Sequence, residues 1–277
     1  MNAGVIRLAA GVVLAGWVAI GLDGSATQLL QEPSRESGQS VTAAYEGWFK
    51  NPDGTFSLLI GYFNRNTKQT FDIPIGPDNR IEPGGPDRGQ PTHFLTRRQW
   101  GVFTVTVPAD FGDKKITWTL VANGKTTSVQ MELHRDYEVE PFKDAAEKNT
   151  PPVVRFEPGG APLQVPPRGI SASFAATVRS PLTLTVWATD DAVVDASKRT
   201  PEAPVTLSWS MYRGPADVSF SNAKPPVDKV DGKATTTGTF SETGEYVLRL
   251  QANDVSGEGG GGFQCCWTNA HVRVTVK

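Results

Sequence analysis

The sequence has few of the residues on which common catalytic and metal-binding motifs depend. Its 277 residues include 2 cysteines, 3 histidines and 3 methionines. The histidines, His93, His134 and His271, fall in no recognisable nucleophile or metal motif. We therefore expect a protein that is not an enzyme, although carboxylates far apart in the sequence can meet in a fold.

The sequence also lacks an excess of charge of either sign. Its 27 Lys and Arg residues stand against 29 Asp and Glu residues, a formal net charge of −2. A protein that gathers nucleic acid or an anionic membrane needs a broad positive field. The composition therefore disfavours a polyanionic partner, and we expect no nucleic-acid binding.

The hydrophobic run near the N-terminus is short. Residues 8–22 form an uncharged run of 15 residues, whereas a spanning helix needs about 20. The run follows Arg7 and precedes small residues that end at Ala26, which is the pattern of a secretory signal peptide. We predict a signal peptide over residues 1–26, no membrane span after its cleavage, and a secreted or periplasmic protein that could associate with the cell surface. An uncleaved N-terminal anchor is the alternative.

Glycine and proline, by contrast, are abundant, with 28 and 21 residues. They separate short segments rich in Thr, Val and aromatic residues, which is an all-β composition. Pro52-Asp53-Gly54 and Asn123-Gly124 lie between alternating runs and predict β-hairpins, the second with a type I′ turn. Strands are predicted near 44–50, 55–64, 70–75, 102–107, 116–121, 126–134, 182–188, 205–212, 218–221, 234–240, 245–253 and 271–276.

The pattern of strands and prolines predicts two β-sandwich domains in tandem. A polar segment without sustained periodicity precedes the first strands and is predicted to be disordered. A stretch with many prolines, which favour extended conformations, separates the two groups of strands. The predicted divisions are a leader over 27–42, a first β-sandwich over 43–137, a Pro-rich linker leading into an edge strand over 138–168, and an immunoglobulin-like β-sandwich over 169–277.

Part of the second half resembles a known family. The Trp209 strand is followed by Gly-Pro, and residues 240–246 read Phe-Ser-x-x-Gly-x-Tyr. Together with the order of the strands, these segments resemble the PKD-type immunoglobulin-like repeats of bacterial secreted and surface proteins, over about residues 176–276. The resemblance implies an immunoglobulin-like fold and, by analogy only, a spacer, adhesion or protein-contact role. The first half resembles no family that its residues identify.

An insertion over residues 256–270 departs from the pattern of those repeats and carries both cysteines. Cys265 and Cys266 are adjacent, and an oxidising compartment favours a vicinal disulfide that shapes the loop. The alternatives are one thiol in the core with the other facing outward, or a soft-metal or redox site. Phe263 and Trp267 flank the cysteines and either meet a partner surface or, in the case of Trp267, pack in the core.

The connection over residues 76–98 is the expected binding surface of the first domain. Loops of this length are uncommon unless they are functional or mobile. Arginines beside aromatic rings can recognise carboxylates, sulfates or sugar rings. The alternative is a structural loop whose arginines pair with neighbouring carboxylates. The candidate binding residues are Arg80, Arg88, His93, Arg97, Arg98 and Trp100.

A group of aspartates in the second domain offers oxygen ligands. Asp190, Asp191 and Asp195 could bind calcium at one end of the sandwich, but their spacing lacks the alternation of a calcium loop. A plain turn is the alternative. No other cofactor is expected.

Export, two sandwiches and the lack of a catalytic motif favour a non-enzymatic binding or adhesion protein of the bacterial envelope or extracellular space. It would recognise a glycan or an envelope protein through its loops. A structural subunit of a periplasmic or surface assembly is the alternative, and a hydrolase that acts on polymers is the third hypothesis. The sequence sets no oligomeric state.

Overall fold

The protein is built from β-strands, which confirms the predicted fold class. The structure, a computed structural model, describes residues 35–140, 148–164, 166, 168–191, 205–254 and 265–277. The only helical element within them is a single 3-10 turn, Arg135–Tyr137. No helix in the described part is long and apolar enough to cross a membrane. The predicted signal peptide lies outside the described residues.

The first sandwich contains two three-stranded sheets and a short two-stranded ribbon. The first sheet has the order β1-β2-β6, the second has the order β4-β7-β8, and the ribbon joins β3 to β5. All of these pairs are antiparallel. The strands are β1 Val41–Lys50, β2 Phe56–Asn64, β3 Phe71–Asp72, β4 Asn79–Glu82, β5 His93–Phe94, β6 Arg97–Val107, β7 Ile116–Ala122 and β8 Lys125–Met131.

Alternation along β2 and the hairpin turns explain how this sandwich forms. Phe56, Leu58, Ile60 and Tyr62 alternate along the strand, share one face and pack in its core. Gly54 donates a 3.0 Å hydrogen bond from its N–H to a carbonyl at the other end of its turn. In the turn between β7 and β8, Asn123 and Gly124 have φ angles of 49° and 71°. Two successive positive φ values are what a type I′ turn requires, so that prediction is confirmed.

The second sandwich packs two four-stranded sheets face to face. The first has the order β10-β16-β15-β12 and the second has the order β13-β14-β11-β9. The edge strand β10 pairs in parallel with its neighbour β16. The strands are β9 Val153–Arg155, β10 Ile170–Ala176, β11 Leu182–Thr189, β12 Thr206–Arg213, β13 Val218–Phe220, β14 Lys233–Phe240, β15 Gly244–Asn253 and β16 Trp267–Val276.

Two aromatic residues anchor the core of the second sandwich. Trp209 lies in the middle of β12 and is buried. Tyr246 is fully buried near the start of β15, and its hydroxyl donates a 3.0 Å hydrogen bond to the carbonyl oxygen of Glu242. This bond ties the preceding turn to the strand, which is the role of a tyrosine corner.

The structure differs from the sequence predictions mainly at short or peripheral elements. Part of the predicted leader is ordered, because Arg35 pairs with Asn66 and β1 begins at Val41. The strands β4, β5 and β10 were not predicted, since each is short or lacks a clear alternation of apolar residues, whereas β9 is an edge strand within the 138–168 range for which one was predicted. Strand β16 begins at Trp267, four residues earlier than predicted, because the end of the insertion pairs with β15.

Candidate functional site

The two sandwiches meet along one surface, called here the interdomain seam. One part of the seam is formed by the outer face of the β1-β2-β6 sheet, which packs against β15 and β16. The other part is formed by the 76–98 connection, which contacts β12. The first sandwich contributes Leu59, Asp87, Gly89, Gln90, Gln99, Trp100, Gly101 and Val102, and the second contributes Tyr212, Arg213, Arg249, Trp267, Asn269 and His271.

The apolar centre of the seam is a cluster of two tryptophans and a leucine. Leu59 and Trp267 are fully buried, and Trp100 packs against them. Gly101 lies under the indole of Trp267, and a Cβ atom at that position would come within 3.0 Å of the ring. Its φ of 49° is in the left-handed region, where a residue without a Cβ atom is favoured. Gly101 therefore allows the first sandwich to approach Trp267 closely.

A buried arginine forms the polar part of the seam. The guanidinium of Arg249 is held by three acceptors, each at 2.9 Å, namely Oδ1 of Asn269, Oε1 of Gln99 and Oε1 of Gln251. Asn269 in turn donates to the carbonyl oxygen of Gly101 at 2.8 Å. Arg249 is only 3% exposed, and a buried charge is tolerated only when hydrogen bonds satisfy it. Because Gln99 and Gly101 belong to the other sandwich, this network joins the two domains.

Glu46 on β1 supports the first sandwich's side of the seam. Its carboxylate accepts from Nη2 of Arg98 at 2.6 Å and from the N–H of Gly101 at 2.7 Å. Burial raises the pKa of Glu46, while the charges of Arg98 and Arg249 act in the opposite direction. The guanidinium of Arg98 also stacks 3.9 Å from the ring centre of Trp100. Glu46 thus positions both Gly101 and, through Arg98, the Trp100 ring.

The 76–98 connection forms a second contact between the domains. Arg213 binds the carboxylate of Asp87 with both terminal nitrogens, at 2.8 and 3.0 Å, and donates to the carbonyl oxygen of Gln90 at 2.7 Å. The hydroxyl of Tyr212 donates to the carbonyl oxygen of Gly89 at 2.5 Å. The hydrogen bonds from Arg213 lower the pKa of Asp87. This loop therefore holds the second sandwich instead of lying free in solvent.

His271 is buried in the same seam. Its ring centre lies 4.1 Å from that of Tyr212, and it forms a hydrogen bond with the backbone of Val102. Burial and the nearby charge of Arg249 lower the pKa of His271 to about 3. The imidazole is therefore neutral across the physiological range of pH.

A cleft of about 740 Å³ opens beside the seam. Its volume lies within the range of ligand-binding pockets, roughly 300 to 1,000 Å³. Both sandwiches form its walls, so its shape depends on their relative orientation. The residues that line it are Asp72, Ile73, Pro74, Ile75 and Thr92 from the first sandwich, and Met211, Arg213, Gly214, Pro215, Ala216, Asp217, Ser241 and Glu245 from the second.

The two cysteines lie at the start of β16, next to the seam. The structure pairs the sulfur atoms of Cys265 and Cys266, and both residues are buried, while a vicinal disulfide in the protein stays a prediction. The sulfur of Cys265 lies 3.8 Å from the carbonyl oxygen of Asn149. The pair directly precedes Trp267, the residue that fills the centre of the seam.

The predicted binding residues divide between structural contacts and the surface. Arg98, Trp100 and Trp267 come together, but within the seam, where the first two are half-buried and the third is fully buried. Arg97 is exposed at the start of β6, with a φ of 65°. Phe263 lies outside the described residues.

The other three predicted binding residues contact groups within the first sandwich. Arg80 pairs with Glu82 at 2.8 Å, and Arg88 donates to the carbonyl oxygen of Pro83 at 3.3 Å. The ring of His93 lies 2.8 Å from the carboxylate of Asp72, which lines the cleft. These contacts match the alternative in which the loop is mainly structural, and binding by these residues stays a prediction.

The structure describes only two of the three predicted calcium ligands, Asp190 and Asp191. Oδ2 of Asp191 accepts a 2.7 Å hydrogen bond from the hydroxyl of Thr150, and Asp195 lies outside the described residues. No group of three or more His, Cys, Asp or Glu side chains in the described ranges is arranged to hold a metal ion. Calcium binding stays a prediction.

Sequence reasoning missed the residues that join the domains. Glu46, Gln99, Arg249 and Asn269 lie on strands whose alternation indicates only the core. A signal was present in β2, where Leu58, Leu59 and Ile60 are consecutive, since such a run indicates a strand that is buried on both faces.

The topology and the seam define two β-sandwich domains in tandem, the second immunoglobulin-like, that are in direct contact. No family model matches the sequence, and no curated protein matches it. Solved structures with some likeness include the D00–D0 domain of intimin, at 12% identity and a TM-score of 0.28, covering 86% of this chain and 100% of that one. Titin immunoglobulin tandem domains A164–A165 match at 12% identity and a TM-score of 0.23, covering 86% of this chain and 99% of that one.

Domains 4 and 5 of the S-layer protein SbsC match over a shorter region. The identity is 12% and the TM-score 0.26, with 59% of this chain and 65% of that one covered. The match thus spans slightly less than two thirds of the SbsC structure. Identities and TM-scores this low assign neither a family nor a function to the chain.

Proposed function

We propose that this chain is an exported, non-enzymatic binding or adhesion protein, in which two sandwiches form one rigid unit and a partner binds on a surface made by both. The observation that supports this proposal is the seam around Arg249. Its guanidinium donates to Asn269 and Gln251 within the second sandwich and to Oε1 of Gln99 in the first. Separating the domains would break these interdomain hydrogen bonds and expose the buried side chains of Leu59 and Trp267 to water, which is unfavourable.

The rigidity has a direct consequence for recognition. A flexible pair of domains would present a cleft of variable width, whereas the seam holds the cleft walls at one distance. Preorganisation of this kind increases affinity, because less conformational freedom is lost on binding. The cleft beside the seam is therefore the proposed recognition surface, in place of the tip of the 76–98 connection.

Binding by the two sandwiches joined at the interdomain seam can be tested on peptide and glycan arrays. The full mature chain is compared with Arg249→Met, which removes the buried guanidinium, and with Arg273→Met, a control on an exposed position of β16. We expect wild type and Arg273→Met to bind the same probes and Arg249→Met to lose them. Turnover of a bound polymer, or no binding to any probe, would contradict the proposal.

Export is a separate part of the proposal and has its own test. The charged start at Arg7, the short apolar run and the small residues ending at Ala26 support secretion through a cleaved signal peptide. N-terminal sequencing of the protein from the periplasm or medium should begin at Thr27. Recovery of the whole chain, including residues 1–26, in the membrane fraction would support the anchored alternative. The PKD-type resemblance is consistent with an exported module and remains part of this proposal.

A second candidate function, a subunit of a periplasmic or surface assembly, is favoured by the edge strand β10. In the described structure β10 pairs only with β16, and residues 170–178 carry no charge and no proline. Natural edge strands usually carry such residues to prevent pairing with another chain. If β10 mediates assembly, light scattering at high concentration should show oligomers that Ser173→Lys dissociates and Ser180→Lys, a control in a nearby exposed turn, does not. A monomeric wild type would remove this candidate.

A further inference from the structure

The cleft beside the seam has apolar walls and a rim of carboxylates. Ile75, Met211 and Pro215 contribute to the walls. Asp217 and Glu245, both exposed, lie on the second sandwich's side. Asp72 contributes a third carboxylate from the first sandwich. The cleft can therefore accept a group that combines an aliphatic part with a polar end.

The charges around the cleft do not cancel. The guanidinium of Arg213 is the one basic side chain in the lining, and it is already bound by Asp87. His93 faces Asp72 from outside the lining. Asp217 and Glu245 form no ion pair with any residue in the described part of the chain. The net charge presented to a ligand is thus negative, which favours a cation and disfavours phosphate or sulfate groups.

The side chains of lysine and arginine meet both requirements. Each has an aliphatic stem that can lie along an apolar wall while its charged end reaches a carboxylate. A sugar is a poorer fit, because the lining contains no aromatic side chain on which its ring could stack. The position of the carboxylates on both sandwiches also means that a bound segment would contact both domains.

We propose that the cleft binds an extended protein segment that carries lysine or arginine; this inference rests on the proposed binding function. The carboxylates of Asp72, Asp217 and Glu245 would be the charge partners of the segment, and Ile75, Met211 and Pro215 would form the apolar walls around it. The partner is therefore a basic segment of a protein in the envelope or outside the cell. Recognition of a glycan becomes an alternative outcome of the test.

The test uses the full mature chain and three fluorescein-labelled nonapeptides in which alanine alternates with lysine, glutamine or glutamate. Fluorescence anisotropy should show binding of the lysine peptide that weakens with added salt, because exposed charge pairs are screened. Asp217→Asn/Glu245→Gln should weaken it about three- to tenfold, as expected for two exposed pairs. Asp113→Asn/Glu140→Gln removes two exposed carboxylates outside the cleft and should leave it unchanged.

A second measurement locates the contact and separates the two proposals. Carbodiimide cross-linking of the lysine peptide, followed by mass spectrometry, should join it to Asp72, Asp217 or Glu245. Equal binding of the three peptides, equal weakening by both double variants, or cross-links only outside the cleft would overturn the inference. Glycan binding that Arg249→Met abolishes would preserve the proposed function while overturning this inference, whereas the absence of binding to every peptide and glycan would overturn both.

Discussion

The guanidinium of Arg249, on β15 of the second sandwich, donates a 2.9 Å hydrogen bond to Oε1 of Gln99, on β6 of the first. This bond joins residues 150 positions apart in the sequence, and Arg249 is almost completely buried. A charged side chain in such a position is costly unless every donor finds an acceptor. The hydrogen bonds of Arg249 therefore favour one relative orientation of the two domains.

Removing this guanidinium should destabilise the protein strongly. Arg249→Met leaves neutral acceptors on Gln99, Gln251 and Asn269 without their donor, and each buried acceptor left unsatisfied should lower the free energy of unfolding by about 1 to 3 kcal/mol. Chemical denaturation monitored by circular dichroism measures it. Arg273→Met, on an exposed position of β16, should change the same quantity by less than about 0.5 kcal/mol. Equal effects of the two substitutions would show that Arg249 does not hold the seam.

The close approach of the domains depends on Gly101. In Gly101→Ala the added Cβ would come within 3.0 Å of the Trp267 ring. Gly112 has a similar φ of 56° but an open environment, so Gly112→Ala measures the cost of the backbone conformation alone. We expect Gly101→Ala to be less stable than Gly112→Ala by about 1 to 3 kcal/mol. Its near-ultraviolet circular dichroism should also change, because Trp267 must move, and an unchanged tryptophan signal would contradict this account.

His271 should make the protein sensitive to acid. The pKa of His271 is lowered to about 3 in the folded state from a usual value of 6.5. As the pH falls below about 6.5, the unfolded state takes up a proton that the folded state does not, so stability falls by up to about 1.4 kcal/mol per pH unit until about pH 3.

The pH dependence can be assigned by comparing variants. His271→Gln removes the titrating group, so its unfolding free energy should fall less steeply than that of wild type between pH 6 and about 3. His134→Gln, which changes a histidine whose side chain is 56% exposed, should keep the wild-type slope. Because Glu46 titrates in all three proteins, its contribution cancels in the comparison. If the unfolding free energies of wild type and His271→Gln fell with pH at the same slope, the buried His271 would not be the source of the acid sensitivity.

The cysteine pair should be oxidised in the mature protein. The structure pairs the sulfur atoms of Cys265 and Cys266 beside Trp267, and an exported protein meets an oxidising compartment. Protein purified from an oxidising compartment and denatured without reductant should therefore react with no thiol reagent, and after reduction it should take up two labels. Reduction should also alter the tryptophan fluorescence, since Trp267 directly follows the bridge. Two labels before reduction would favour the interpretation with free thiols.

Several features could be predicted because they depend on neighbours in the sequence. The hairpin at Asn123-Gly124 follows from the need for positive φ at two successive residues. The core face of β2 follows from side chains that alternate across a strand. The bond from Tyr246 to Glu242 spans four residues and closes a local turn. These features lie within one element or one turn, where local geometry decides the outcome.

The amino-acid sequence by itself determined most of the longer β-strands, the hairpin turns and the faces that form each core, because the alternation of buried side chains and the chemistry of turns act over a few residues. Only the tertiary structure decided which outer faces meet. Arg98 and Trp267 were candidates for an external partner, but they contact Glu46 and Leu59 inside the protein. A strand's second face looks the same in the sequence whether it meets solvent, a partner or the neighbouring domain. Shape and hydrogen-bond complementarity between residues far apart in the chain distinguish these cases.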